Sequence, residues 1–318
     1  MAYHMESREI VDDYIRRISG HLHGHELVIC EDMDSIKREI AGADVLICWK
    51  MTPEVFACAR KLRWIQFGSA GIDHTVFPEL IASDVILTTM SGIHAIPVAE
   101  HVLAMMLCMT RRLDLAHRLQ LEHRYERAEL AWTAEELAGK SLGIVGLGRI
   151  GLAIAHMAQA FGMRVVGTKR TVDGDLPVVD RVYAPDELGD MLPDVDCLVL
   201  VVPLTEGTRA LIGRPEIELM KDGSYLVNVA RGAMLDHEAL GDALRSGKLA
   251  GAALDVFPEE PLPPDSPIYD LPNLILTPHT GSSGRRYGER AAQVFERNLE
   301  AFLTSGEMMN VYQRERGY

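Results

Sequence analysis

Short apolar runs alternate with longer stretches of helical period along almost the whole chain. Residues 26–30, 45–49, 64–67 and 86–88 read as strands; after a helical gap come 142–145, 164–167, 197–202, 225–228, 251–254 and 274–276. Runs this rich in Val, Ile and Leu suit strands buried on both faces. Their alternation with helices implies parallel sheets wound by crossovers. Ten strands are many for one open sheet, so two sheets are expected. Residues 95–113 (AIPVAEHVLAMMLCMTRRL) read as a long helix, apolar over most of its surface, with Pro97 in the first turn, where proline is tolerated. A polar stretch, 116–140, follows it, and another helical pattern, 290–303, closes the chain. The expected division is 1–94 plus 285–318 for one domain and 95–284 for the other, with a cleft between them.

Composition adds little to this picture, but charge does. The 318 residues carry a net charge of −14, which argues against nucleic acid as a partner, because such binders concentrate Lys and Arg. The longest apolar stretch, 98–109, contains Glu100 and His101 and is too short to span a bilayer, so no membrane association is expected. Cys30, Cys48, Cys58, Cys108 and Cys197 form no CxxC pair and sit mostly in apolar runs. Buried free thiols and, with no signal peptide evident, a cytoplasmic location are expected. Met1-Ala2-Tyr3-His4-Met5 reads as a leader outside the fold, with Met5 as the natural start.

One glycine pattern carries chemistry. Gly146, Gly148 and Gly151 form GxGxxG between the run 142–145 and a helical pattern over 150–161. In that context the first glycine makes a tight turn, the second lets backbone approach a pyrophosphate, and the third lets helix and strand pack closely. The helix N-terminus adds free N–H groups and a partial positive charge. Residues 95–284 are therefore expected to be a Rossmann dinucleotide-binding domain. An NAD site would carry an acid near the end of the next strand, but Lys169 and Arg170 stand there. Two cations attract a 2′-phosphate, and charge-assisted hydrogen bonds favour NADP over NAD by about 10- to 1000-fold. NADP is the expected cofactor. NAD use through Asp173 is the alternative.

Three later strands end in polar residues that a plain strand has no use for: Arg231 in VNVARG, Asp255, Glu259 and Glu260 in LDVFPEEP, and His279 in LTPHTG. The carboxyl ends of strands line the ligand crevice in open α/β sheets, so these residues can converge on a nicotinamide. With them, nearly the full chain resembles the D-isomer-specific 2-hydroxyacid dehydrogenases, the glyoxylate/hydroxypyruvate reductases among them. The matching pieces are GSAGID at 68–73, VAEHVL at 98–103, GLGRIG at 146–151, PLTEGTRALIG at 203–213, LVNVARGAMLD at 226–236, LDVFPEEPLP at 254–263 and TPHTG at 277–281.

The resemblance implies a flavodoxin-like, doubly wound substrate domain beside the Rossmann domain. It implies hydride transfer between the dinucleotide and a small 2-oxo or D-2-hydroxy acid. The family's catalytic Arg, Glu and His fall on Arg231, Glu260 and His279, with Glu260 rather than Glu259 directly before Pro261. Arg231 offers a planar fork of donors to a carboxylate. His279 is the general acid of reduction and the general base of oxidation, and Glu260 fixes its tautomer. The resemblance also assigns Ser69, Ala70, Gly71 and Ile72 to the substrate carboxylate through backbone N–H groups. Arg149, Ile150, Pro203, Thr208 and Ala230 join the glycines, Lys169 and Arg170 in cofactor binding, and Asp255 positions the nicotinamide amide. A homodimer through the 95–113 helix and the linker after it is implied as well.

Other candidates carry less. His21, His23 and His25 have HxHxH spacing, but lie in a polar, Gly-flanked stretch that reads as a solvated turn, so no metal is expected. His94 and His101 flank or lie in the long helix without an identifiable role, and Trp49, Lys50, Met51, Tyr125 and Trp132 are candidates to shape a substrate pocket. The competing functions are an NAD-dependent D-2-hydroxyacid dehydrogenase of other substrate range and a dinucleotide-sensing corepressor-like protein. Formate-dehydrogenase-like activity fits less well, because that branch pairs the His with Gln.

Overall fold

The structure is a computed structural model that describes residues 8–22, 24–171, 174–315 and 317. His23 and Asp173, and with them one third of the histidine motif and the alternative NAD acid, lie outside the described residues, as does the Met1–Met5 leader. The chain divides into two compact units, Met1–His94 with Ser283–Tyr318, and Ala95–Ser282.

The first unit is built on three parallel strands in chain order, β1 (Val45–Cys48), β2 (Trp64–Phe67) and β3 (Ile86–Thr88). Strand side chains alternate between two layers, as a period of two requires. Trp64 and Ile47 pack with the paired helices Arg8–Ser19 and Tyr287–Thr304 through Tyr14, Ile18, Phe295 and Leu299. Ile65 and Phe67 pack with Ile36, Val55 and Leu80 of three short helices on the other side. A buried polar chain ties the final helix to the sheet. Asn298 Nδ2 donates to Gln66 Oε1 (3.0 Å), which also accepts from Thr88 Oγ1 (2.9 Å), and Trp64 Nε1 donates to Thr88 Oγ1 (2.7 Å). Satisfied in this way, these polar groups cost little to bury.

The second unit carries a seven-stranded sheet. Its strands are β4 (Ser141–Val145), β5 (Arg164–Thr168), β6 (Arg181–Tyr183), β7 (Cys197–Leu200), β8 (Ser224–Asn228), β9 (Leu249–Leu254) and β10 (Leu274–Leu276). Their order is β10-β9-β8-β7-β4-β5-β6, every neighbouring pair parallel. The chain winds one way from β4 to β6 and the other way from β7 to β10, so the direction reverses between β4 and β7. That switch point is where a doubly wound sheet opens a crevice at its carboxyl edge. Large apolar cores cover both faces. In one of them the helix Ala95–Thr110 packs on the helix Arg149–Ala160 through Val102, Met106 and Ile154. The fold class is thus α/β with parallel sheets.

Three elements differ from the sequence expectation. Residues 26–30 form no strand: Val28 and Ile29 are half-exposed, and the segment lines an apolar cavity of about 640 Å³ with Val45 and Ile47. An apolar run alone does not make a strand, which also needs a ladder partner, and among the described residues this segment has none. β6 was not expected, because Arg181–Tyr183 is three residues long and starts with an exposed Arg. It pairs at the sheet edge with β5. The long helix stops at Thr110 instead of 113. Arg112 takes a left-handed φ of 55°, and a separate helix, Leu113–Leu121, begins after it. Of the five free cysteines, Cys30, Cys48 and Cys197 are buried but Cys58 and Cys108 are only partly so.

Candidate active site

The GxGxxG turn joins β4 to the helix Arg149–Ala160, and each glycine answers to a different constraint. Gly146 has a φ of +108°, which L side chains rarely adopt. A Cβ on Gly151 would overlap the carbonyl oxygen of Gly146, so the helix can sit this close to the turn only with glycine there. Gly148, the residue before the helix, has no heavy atom within 4 Å of where its Cβ would lie. The open backbone at the helix N-terminus fits a dinucleotide pyrophosphate. Thr168 at the end of β5 braces the turn, its Oγ1 accepting from Gly146 N (3.2 Å) and its carbonyl from Leu147 N (2.9 Å). Lys169 and Arg170 follow directly, the Lys169 amide held on Tyr183 O (3.0 Å). In the loop after β7, Thr208 Oγ1 donates to Pro203 O (2.8 Å) and accepts from Thr205 N (2.8 Å).

The ends of β8, β9 and β10 bring the remaining polar residues to the same edge. Asn228 closes β8 and holds the next turn: its Oδ1 accepts from Ala230 N (3.0 Å), its Nδ2 donates to Arg231 O (3.0 Å). Arg231 follows with one guanidinium N–H on Ala230 O (2.8 Å). Past β10, His279 Nδ1 lies 2.6 Å from Glu260 Oε2, and Glu260 Oε1 accepts from Phe257 N (2.9 Å). The carboxylate is therefore fixed at both oxygens. With Nδ1 engaged, Nε2 is the nitrogen left to exchange a proton.

His279 itself has a left-handed φ of 54°, unusual for a residue other than glycine. Asp255 holds it there. Its carbonyl accepts from His279 N (2.8 Å), and its carboxylate from Thr277 Oγ1 (2.6 Å), Thr280 N (2.9 Å) and Gly281 N (2.9 Å). His101 Nε2, on the long helix, lies 3.0 Å from Thr277 Oγ1 and 3.5 Å from Asp255 Oδ1. Asp255 is 3 % exposed. Burial pushes its carboxyl up, but the hydrogen bonds from His101, Thr277, Gly281 and Thr280 together outweigh this and leave it below the usual Asp value.

In the first unit, the loop after β2 has three of its carbonyls anchored. Gly68 O accepts from Tyr287 Oη (2.6 Å), Ser69 O from Met90 N (2.9 Å) and Gly71 O from Ser69 Oγ (3.0 Å). Among the described residues, the amides of Ser69, Ala70, Gly71 and Ile72 have no acceptor. Part-buried N–H groups left in this way suit an anion.

The profile of the D-isomer-specific 2-hydroxyacid dehydrogenase NAD-binding domain matches residues 103–281, more than half of the chain. A glyoxylate reductase from Thermofilum pendens is 35 % identical over 282 residues, covering 86 % of this chain and 82 % of its own. The chain belongs to the D-isomer-specific 2-hydroxyacid dehydrogenase family. Two solved structures extend the likeness to the whole fold. A family member from Xanthobacter autotrophicus, in complex with NADPH and MES, superposes with a TM-score of 0.85 at 27 % identity and covers 100 % of this chain and 99 % of its own. The NADPH-dependent glyoxylate/hydroxypyruvate reductase of Sinorhizobium meliloti, in complex with NADP and sulfate, gives 0.83 at 26 % identity, with 97 % and 96 % covered. As a member of this family the chain is an oxidoreductase, a D-2-hydroxyacid dehydrogenase that uses a nicotinamide dinucleotide.

Arg231, Glu260, His279, Asp255 and the residues assigned to the dinucleotide all fall at the carboxyl edge of one sheet, while Ser69–Ile72 belongs to the other unit. Of the candidates without firm roles, Trp49 and Lys50 line a cavity of about 450 Å³ in the first unit, whereas Met51 is buried in the core. Tyr125 and Trp132 are 96 % and 90 % exposed. His21 pairs with Glu296 (2.8 Å). The sequence reading missed two things: His101 and Thr277 as partners of Asp255, and Tyr287 beneath the 68–72 loop. The VAEHVL match offered a signal for His101. Nothing local marked Tyr287.

Proposed function

We propose that this enzyme reduces small 2-oxo acids of the glyoxylate and hydroxypyruvate type, with NADPH preferred to NADH. The observation that carries the reading is the 2.6 Å His279–Glu260 pair, in the loops after β10 and β9, with Arg231 following the neighbouring strand β8. The naming of the Thermofilum relative and the NADP-bound relatives support it. Gly146, Gly148, Arg149, Ile150 and Gly151 would hold the pyrophosphate, Lys169 and Arg170 the 2′-phosphate, and Pro203, Thr208 and Ala230 the nicotinamide half, with Asp255 at its amide.

When bound, the dinucleotide supplies the hydride. Arg231 holds the substrate carboxylate with its donor fork and polarises the 2-oxo oxygen. The amides of Ser69, Ala70, Gly71 and Ile72, unpaired among the described residues, suit a carboxylate as well. Nε2 of protonated His279 gives its proton to the 2-oxo oxygen as the hydroxyl forms; in oxidation the neutral ring takes it back. Glu260 stabilises the imidazolium and fixes the ring so that Nε2 faces the substrate. A carboxylate at this position suits a step in which the histidine carries charge.

We further infer a homodimer formed through the linker after the long helix. Leu113, Leu121, Tyr125 and Trp132 are exposed there, and a contiguous exposed apolar patch marks an interaction surface. Sedimentation at micromolar concentration should give twice the chain mass. A cytoplasmic location is inferred from five unpaired thiols, two of which, Cys48 and Cys197, burial pushes up to about 12.

The function is tested by following NADPH and NADH oxidation side by side with glyoxylate, hydroxypyruvate, pyruvate and a branched 2-oxo acid. The reading expects turnover with the two smallest substrates and a higher kcat/KM with NADPH. Binding of the dinucleotide without turnover of any substrate would favour a sensing role instead.

A further inference from the structure

The first unit holds an aromatic cluster whose polar groups the reaction does not use. Tyr287, at the first turn of the final helix, stacks on His94 (centroids 5.9 Å apart), tilts against Trp49 (6.0 Å) and meets Tyr14 edge-on (6.5 Å). Its hydroxyl donates to Gly68 O at 2.6 Å, across 219 residues of sequence. Trp49 closes the cluster over the same glycine, where a Cβ would overlap the indole. Tyr14 Oη, in the same cluster, is buried with no hydrogen-bond partner among the described residues.

The contact with Gly68 has a directional consequence. A trans peptide points its C=O and N–H to opposite sides. The Tyr287 hydroxyl on Gly68 O therefore turns the Ser69 N–H away from the aromatic cluster. Met90 N on Ser69 O does the same for the Ala70 N–H, and Ser69 Oγ on Gly71 O for that of Ile72. Among the described residues, Tyr287 is the one side chain from outside the loop that takes part. A hydrogen bond to the carbonyl also polarises its peptide, which makes the N–H on the far side a better donor.

Building on the proposal that this loop receives the substrate carboxylate, we propose that Tyr287 is a positioning residue for 2-oxo acid binding, its hydroxyl aiming the Ser69 amide at the carboxylate. Its contribution is to substrate affinity, not to the chemical step or to the dinucleotide. The class of ligand it serves is a small carboxylate.

Tyr287→Phe tests this, because it removes one hydroxyl and keeps the ring between His94, Trp49 and Tyr14. The KM for glyoxylate should rise about 3- to 10-fold, the range a single hydrogen bond supports, with kcat changed less than twofold. The Kd of NADPH by fluorescence should stay the same. Oxalate, titrated calorimetrically into the NADP-loaded protein, should lose the same factor in affinity. Tyr14→Phe, which removes a hydroxyl of the same cluster that has no hydrogen-bond partner among the described residues, should leave the glyoxylate KM unchanged. An unchanged KM and oxalate affinity in Tyr287→Phe would overturn the proposal while the functional reading stood. So would equal shifts in both variants, since these would report loosened packing. Absence of glyoxylate turnover in the wild type would overturn the functional reading, and this proposal with it.

Discussion

The two units offer different kinds of polar group. At the carboxyl edge of the seven-stranded sheet the functional groups are side chains, Arg231, Glu260 and His279, each a residue or a few beyond the end of a buried strand or in the loop that follows. In the first unit they are backbone amides, bent outward because three carbonyls behind them are tied down. A side-chain site names its residues, so substitution shows directly what each contributes. An amide site depends on whatever fixes its peptide planes, and that can lie far away in sequence. The two kinds of group therefore answer to different tests, direct substitution at the strand ends and removal of a distant brace at the loop.

The largest effect expected from breaking one side of this comparison is on the chemistry. His279→Ala should lower kcat by about 10²- to 10⁴-fold, the usual contribution of a positioned acid–base group, while NADPH still binds with its original Kd. A proportionate loss of NADPH binding would mean that the histidine is structural. Next comes the cofactor. Lys169→Asp should move the NADPH-to-NADH ratio of kcat/KM toward NADH by about 10- to 1000-fold, because a carboxylate repels the 2′-phosphate that the ammonium attracts. An unaltered ratio would remove Lys169 from the site.

The glycines sharpen the distinction between fold and binding within the second unit. Gly148→Ala puts its Cβ into open space and should leave the melting temperature in place, while weakening NADPH roughly 10-fold by blocking the backbone approach. Gly151→Ala meets the Gly146 carbonyl and should destabilise the fold by about 1–3 kcal/mol, as overpacking does. Equal melting temperatures for the two variants would contradict this division.

The smallest effect concerns Asp255. Its carboxyl lies below the ordinary Asp value in the folded chain, so its charge stabilises the fold above that value. The contribution fades as pH falls through the lower, folded-state value. The gap in melting temperature between wild type and Asp255→Asn should therefore narrow between about pH 7 and about pH 3. A gap independent of pH would show that the carboxylate is not the stabilising form.

Much of this was legible in the residues. The periodicity of Val, Ile and Leu marked nine of the observed strands, because all but β1 and β10 are largely buried and apolarity is what burial selects. It failed at 26–30, where an apolar run has no ladder partner, and at Arg181–Tyr183, where a short edge strand needs no apolar run. The strand-end polar residues stood out because a buried strand has no other use for them. His101, by contrast, lies on a helix whose sequence reads as uniformly apolar packing, and its contact with Thr277 spans 176 residues. Tyr287 was hidden for the same reason: a tyrosine at a helix start is unremarkable until its hydroxyl is found on Gly68 O.

The proposed reduction of a 2-oxo acid to the D-hydroxy acid is tested most directly by chiral analysis of the product formed from hydroxypyruvate and NADPH. D-glycerate as the sole product, formed in step with NADPH consumed, is the predicted result. L-glycerate, a racemate, or NADPH consumption without glycerate would contradict it.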